Sequence, residues 1–146
     1  MRPLRKNDEA PAGVVLDAGP LIALVHAADQ EHATSLSGFR QLTASRVQLI
    51  VPLPIVFEVY KWVLYNSGGE AARRAVDTLA QTTEIVYPTQ EEFDDVRALV
   101  AALTDWQGTL EDALVALTAL QRRAPVWTLN YRDMSAFPRL LFWTPN

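Results

Sequence analysis

Four acidic residues stand where a bland sequence would carry apolar or neutral ones. Asp17 closes the run Val14-Val15-Leu16, and Glu58 sits within Pro54-Ile55-Val56-Phe57-Glu58. Asp112 follows Leu110-Glu111, and Asp133 ends Thr128-Leu129-Asn130-Tyr131-Arg132-Asp133. Each falls at the edge of an expected strand or inside an apolar helix. Two carboxylates about 4 Å apart repel by ~4 kcal/mol at an effective dielectric of about 20, so four in one place call for a divalent cation. Hard oxygen donors suit Mg²⁺ or Mn²⁺ rather than zinc, and such a site activates water against a phosphodiester. No side-chain nucleophile is needed, and the chain has no cysteine to supply a thiolate.

Each acid also has an ordinary structural role open to it. Asp17 before Gly-Pro can cap the following helix. Asp112 fits the acidic-box pattern Thr109-x-x-Asp112 and, in a first helical turn, favours the helix dipole. Glu58 can pair with Lys61 at i, i+3, although a lone carboxylate among Ile55, Val56, Phe57, Val59 and Tyr60 is costly to bury. Asn130 and Asp133 can satisfy their own loop backbone. The joint pattern shifts the balance, because four separate accidents would have to meet at one edge of one sheet. Glu111 is rotated about 100° from Asp112 around the helix and reads as a flanking acid. His26 and His32 lack partners at ligand spacing. Trp62, Tyr65, Trp106, Trp127 and Trp143 read as core or interface rather than as platforms for bases.

The elements that must position these acids alternate between strand and helix. Residues 14–16 form a short apolar run broken by Gly-Pro, and Pro20 suits the first turn of a helix. A second helical stretch spans about 30–45, and 47–51 is a β-branched strand bounded by prolines. Residues 54–66 read as a helix apolar nearly all round, closed by Ser-Gly-Gly, with another helix over about 70–81. A strand over 84–87 precedes a helix over 89–103. A helix over 109–123, a strand over 126–128 and a short final strand within 140–143 complete the chain. Strands this apolar, separated by helical crossovers, predict a parallel sheet covered on both faces. Ligands in such folds collect beyond the carboxyl ends of the strands, where strand order reverses. Asp17 ends the first strand, and Asn130 and Asp133 follow the fourth.

Length and composition bound the rest. The 146 residues, 49% hydrophobic, suffice for one domain with a real core. Residues 1–12 read as a mobile tail without the apolar core of a signal peptide, and no apolar run approaches the ~20 residues that span a bilayer. The cytoplasm is the expected location. The net charge of −4 gives no global attraction for nucleic acid. Lys61, Arg122, Arg123, Arg132 and Arg139, all close in sequence to the acids, could act locally.

Taken together, Asp17-Ala-Gly-Pro-Leu-Ile-Ala-Leu24, Pro54-x-x-x-Glu58, Glu111-Asp112-Ala-Leu-Val-Ala116 and Thr128-Leu-Asn-Tyr-Arg-Asp133 resemble the PIN-domain nucleases, and most of all the VapC-like toxins of bacterial toxin–antitoxin modules. Asp29-x-x-His32-x-x-Ser35-Leu36 is similar to the stretch that follows the first strand and helix in these toxins. The resemblance implies an α/β, three-layer PIN-like sandwich over residues 13–146, with a five-stranded parallel sheet in the order 3-2-1-4-5. It also implies an acidic pocket for Mg²⁺ or Mn²⁺, endonucleolytic cleavage of RNA by metal-activated water, an antitoxin encoded nearby, and a homodimer. Residue by residue, Asp17, Glu58, Asp112 and Asp133 take the four acidic positions. Thr128 and Asn130 match the polar positions before the last acid, and Arg132 joins them as a substrate-contacting or supporting residue.

Two departures stand out: Gly19 where many relatives carry Ser or Thr, and Met134 where an aromatic is usual. The missing hydroxyl could loosen a hydrogen bond near Asp17, and Met134 reads as packing. The alternatives are a free-standing RNA-processing nuclease and a catalytically silent PIN-like module that binds RNA or protein. A phospho-receiver domain fits worse, since Tyr87-Pro88 follows the third strand instead of an acceptor Asp. A haloacid-dehalogenase-like phosphatase would need Asp at Gly19. The all-round apolar helix over 54–66, with Trp62 and Tyr65 and its neighbour over 70–81, predicts a dimer surface or a groove for an antitoxin segment.

Overall fold

The computed structural model describes residues 10–146; most of the tail expected over residues 1–12 lies outside the described residues. Ala12 is already tied to the sheet, its carbonyl accepting the Gln48 N–H at 3.0 Å. The elements are β1 (Gly13–Leu16), α1 (Ala18–Val25), α2 (His32–Ala44), β2 (Gln48–Pro52), α3 (Leu53–Ser67), α4 (Gly69–Thr82), β3 (Glu84–Val86), α5 (Gln90–Ala102), α6 (Leu110–Arg122), β4 (Val126–Trp127) and α7 (Tyr131–Met134). Their boundaries fall within about two residues of the sequence expectations. The short α7 was not among those expectations.

Local chemistry explains the punctuation. β2 ends at Pro52, which has no N–H to continue the ladder, and Pro54 sits in the first turn of α3, where none is required. Gly68 separates α3 from α4 at φ 89°, a left-handed backbone that a side chain would strain. Reciprocal capping boxes open α5, with Thr89 and Glu92, and α6, with Thr109 and Asp112.

Every strand pair is parallel, in the order β3-β2-β1-β4. Val14 and Val15 lie opposite Leu49 and Ile50, and Leu16 lies opposite Trp127. The expected fifth strand is corrected to a single parallel bridge, Val126 with Phe142, among the described residues. It occupies the fifth place, since Val126 N–H donates to Leu141 O at 2.9 Å and Trp143 N–H to Val126 O at 2.8 Å. The ladder extends no further because β4 has only two residues and prolines at 138 and 145 flank the segment.

Helices α1 to α4 pack among themselves, and α5 packs on α6, which crosses β1, β2 and β4. Right-handed crossovers with this strand order put the two groups on opposite faces of the sheet. Val14, Val15, Leu16, Val51, Val126 and Trp127 form its buried centre. Trp127 stacks between Phe39 and Trp143, with ring centroids 4.7 and 4.9 Å away. At the edge, Arg122 grips the Glu84 carboxylate with two hydrogen bonds of 2.7 and 3.0 Å. Those bonds hold Glu84 below the usual carboxylate range. Among the described residues no helix is long and apolar enough to cross a membrane.

Candidate active site

The carboxyl ends of β1 and β4 bring the first two polar side chains together. Asp17 leaves β1 with extended backbone and caps α1, its Oδ1 accepting Ala18 N–H at 2.8 Å. Its Oδ2 accepts the Thr128 hydroxyl at 2.7 Å. The capping role therefore holds, and it uses only one oxygen. Thr128 is fully buried, and its hydroxyl also accepts the Asn130 N–H at 2.9 Å.

The network continues through Asn130. Its side-chain amide donates to Asp133 Oδ2 at 3.0 Å and to Asp112 Oδ2 at 3.4 Å. Asp112 keeps its capping role as well, accepting Thr109 N–H at 3.3 Å. One polar chain thus links Asp17, Thr128, Asn130, Asp112 and Asp133. Glu58, on the second turn of α3, makes no hydrogen bond in this network, yet it lies in the fields of Asp17, Glu111 and Asp112.

Burial and like charge act together on Asp17, Glu58 and Asp112. Burial raises the Asp17 pKa above the ordinary range, against the hydrogen bonds from Thr128 and Ala18, and Glu111 adds to the rise. Asp112 is raised by burial and by Asp17, against its bonds to Thr109, with a contribution from Asp133. Glu58 is exposed as a residue, but partial loss of water at its carboxyl, then Asp17, Glu111 and Asp112, push it up to about 7. Glu111 is therefore more than a neighbour in sequence, since its charge reaches both Asp17 and Glu58. The Glu58–Lys61 pair does not form, and no salt bridge among the described residues involves Asp17, Glu58, Asp112 or Asp133.

Acidic oxygens without a positive partner are the donor chemistry that suits Mg²⁺ or Mn²⁺. Asp17, Asp112 and Asp133, with Glu58 beside them, are the residues that could hold such an ion. As they stand, no three acid or imidazole side chains among the described residues lie close enough to ligate one ion together. Between Asp112 and Asp133 the bridging group is the Asn130 amide.

Of the cations near the acids in sequence, Arg122 is taken by Glu84, and Arg123 and Arg139 line a separate cavity with Leu120 and Leu141. Arg132 lines a recess together with Asp133. A β-carbon on Gly19 would stand 3.1 Å from Leu129 Cβ, so the expected Ser or Thr would press on that side chain. Met134 is fully buried, in keeping with a packing role.

Sequence reasoning read Trp106 as core or interface; it does pack against the core, and it also touches the acid site. Its indole N–H donates to the Asp133 carbonyl at 3.0 Å, and its ring meets Phe137 edge to face with centroids 5.2 Å apart. A β-carbon on Gly108 would collide with the Trp106 ring, so glycine lets the loop close over it. The signal was a lone tryptophan within the polar loop Thr104-Asp105-Trp106-Gln107-Gly108.

The PIN domain family model matches residues 14–140. No curated protein matches the chain. Among solved structures the chain is similar to Mycobacterium tuberculosis VapC20, described as a Sarcin-Ricin loop cleaving toxin, with TM-score 0.73 and 16% identity over 85% of this chain and 94% of that one. It is similar to a chain of a toxin–antitoxin complex from Klebsiella pneumoniae, with TM-score 0.64 and 22% identity over 92% and 98%. A chain of Rickettsia felis VapBC2, bound to a DNA fragment from their promoter, gives TM-score 0.68 and 15% identity over 88% and 96%. At these identities the solved structures speak for the fold.

Proposed function

Since the chain belongs to the PIN-domain family, we propose that it is a metal-dependent endoribonuclease and the toxin of a type II toxin–antitoxin module, working in the cytoplasm as a homodimer and neutralised by an antitoxin. The observation that carries the nuclease reading is the hydrogen-bonded chain from Asp17 through Thr128 and Asn130 to Asp112 and Asp133, with Glu58 in its field and, among the described residues, no cation paired to any of the acids. The toxin reading draws its support from the likeness to a toxin and to toxin–antitoxin complexes.

Asp17, Asp112 and Asp133 would hold Mg²⁺ or Mn²⁺, with Glu58 as a further ligand or as the base beside it. When bound, the ion supplies Lewis acidity that acidifies water and neutralises charge on the phosphate oxygens. Thr128 fixes one Asp17 oxygen and so the orientation of that carboxyl group. Asn130 holds Asp112 and Asp133 in a fixed relation despite their mutual repulsion. Glu58, raised to about 7 in the metal-free site by loss of water and by neighbouring acids, would ionise more readily beside a bound cation and could then accept a proton from attacking water.

The test is cleavage of single-stranded RNA with Mg²⁺, with Mn²⁺ and with EDTA, alongside calorimetric titration with Mn²⁺. Asp17→Asn and Asp133→Asn should each weaken Mn²⁺ binding and cleavage while the circular dichroism spectrum stays unchanged. Full activity in either variant removes that residue from the site. A second reading, a catalytically silent module, is favoured by the Asn130 amide between Asp112 and Asp133. Absence of Mn²⁺ binding would select it. The free-standing RNA-processing nuclease differs only in lacking an antitoxin gene beside it.

A further inference from the structure

Two recesses flank the acid cluster, and only one of them has a cation in its lining. One, of about 220 Å³, lies between Pro54, Pro88, Phe93 and Leu114 with Glu111 in its wall. The exposed acids Glu91, Asp94 and Asp95 and the half-buried Glu92 lie on α5, which supplies Phe93 and Val96 to its lining. The other, of about 580 Å³, is lined by Leu103, Thr104, Trp106, Gln107, Arg132 and Asp133, so it opens directly off the last acid of the cluster. Asp105, exposed, is the only other acid in that lining.

We propose that this second recess binds the nucleotide adjoining the scissile phosphate of a single-stranded RNA, with Arg132 on its phosphate and Trp106 against its base. The proposal rests on the ribonuclease reading above and adds to it the side on which the strand runs. A phosphodiester chain meeting a protein of net charge −4 needs a local cation. Arg132 is exposed and has no ion pair among the described residues. The acids on α5 would repel the same chain on the opposite side.

Trp106 suits a stacking role because it is already held. Its N–H is bonded to the Asp133 carbonyl, its edge is set against Phe137, and Gly108 closes over the ring. A base would therefore meet a ring already held in place, at little further entropic cost, one hydrogen bond from the backbone of Asp133. Thr104 and Gln107 supply hydrogen-bonding groups for base edges or the 2′-hydroxyl. A volume of this size lies within the usual range of roughly 300–1,000 Å³ for ligand sites. Only an unpaired base can leave its stack to reach the indole, which selects single strands over duplex.

The test measures binding of a fluorescein-labelled single-stranded RNA to the full chain by anisotropy in EDTA, and KM and kcat for its cleavage with Mn²⁺. Arg132→Glu should weaken binding and raise KM at least tenfold, and Arg132→Ala should reduce the salt dependence of log affinity by about 0.7, the share of one phosphate on a single strand. Trp106→Leu should also raise KM, and Trp106→Phe, which loses the same N–H but keeps a ring, should restore most of it. Glu91→Lys on the far side should change affinity less than twofold. If Arg132→Glu binds RNA within twofold of the native chain while cleavage still depends on metal and Asp17, the subsite is wrong and the nuclease reading stands. If binding depends on Arg132 but no condition gives cleavage, the subsite stands and the catalytic reading is the one that fails.

Discussion

Thr128 donates its hydroxyl to Asp17 Oδ2 at 2.7 Å, and both side chains are buried. The pairing follows from sheet register: Leu16 lies opposite Trp127, so the next residue on each strand, Asp17 and Thr128, leaves the sheet on the same edge. Two parallel strands far apart in sequence thereby deliver an acid and its donor to one point.

Thr128→Val keeps the shape and removes that donor. It strands Asp17 Oδ2 and deprives the Asn130 N–H of its acceptor. Unsatisfied buried groups cost about 1–3 kcal/mol, so the urea midpoint should fall accordingly. Mn²⁺ affinity should fall with it, because the carboxyl is harder to ionise. Thr128→Ser should recover most of both, and a Val variant as stable as the native chain would remove the hydrogen bond from the argument.

Metal-free protein should grow less stable as pH rises toward 7. Glu58 is pushed from an unfolded value of 4.5 to about 7, so between those values the folded state binds more protons than the unfolded one. Stability then falls with increasing pH, the reverse of the slope produced by salt-bridged carboxylates. The raised Asp17 and Asp112 act in the same direction. Melting curves in EDTA from pH 5 to 8 should show this slope, and Glu58→Gln should flatten it. A Glu58→Gln chain with a lower melting temperature than the native one at pH 7 would point to a structural role for that carboxylate instead.

Adding Mg²⁺ or Mn²⁺ should reverse the loss. An ion bound only by the folded state stabilises it by mass action, about 2.7 kcal/mol at a hundredfold excess over Kd. The melting temperature should rise with Mn²⁺ concentration in the native chain and stay flat in Asp17→Asn. A flat response in the native chain would favour the silent-module reading.

The architecture was legible because it rests on local rules. Apolar runs ending at Gly-Pro or Pro, helical spacing and the Thr109-x-x-Asp112 box each fix an element without reference to the rest of the chain. The four acids stood out in the sequence because carboxylates are conspicuous at the end of a strand, as Asp17 is, or within apolar helical stretches, as Glu58 and Asp112 are. What stayed hidden is tertiary. The fifth strand shrinks to one bridge at Phe142 because pairing depends on how far β4 runs, and β4 is two residues long. Trp106 reached the site through a backbone carbonyl 27 residues away, a contact that no spacing rule announces. The reach of Glu111 to Glu58 likewise depends on how α3 and α6 lie against each other.

A partner segment should occupy the groove between α1, α3 and α4. Leu21, Leu24, Val25, Trp62, Val63 and Ala71 line about 400 Å³ there, and Trp62 is held edge-on by His26 at 5.0 Å. Tyr65, expected to share this surface, is 77% exposed and stands outside the lining. An apolar face of an antitoxin helix would fit this groove. Val25 is half exposed, so Val25→Asp should leave the fold and Mn²⁺ binding unchanged while placing an unpaired charge in any interface formed there. Co-expression with the adjacent open reading frame, followed by copurification and mass measurement, should show capture by the native chain and at least tenfold weaker capture by Val25→Asp. Equal capture by both chains would move the partner off this groove, and a native chain that stays monomeric and captures nothing would leave a nuclease without an antitoxin.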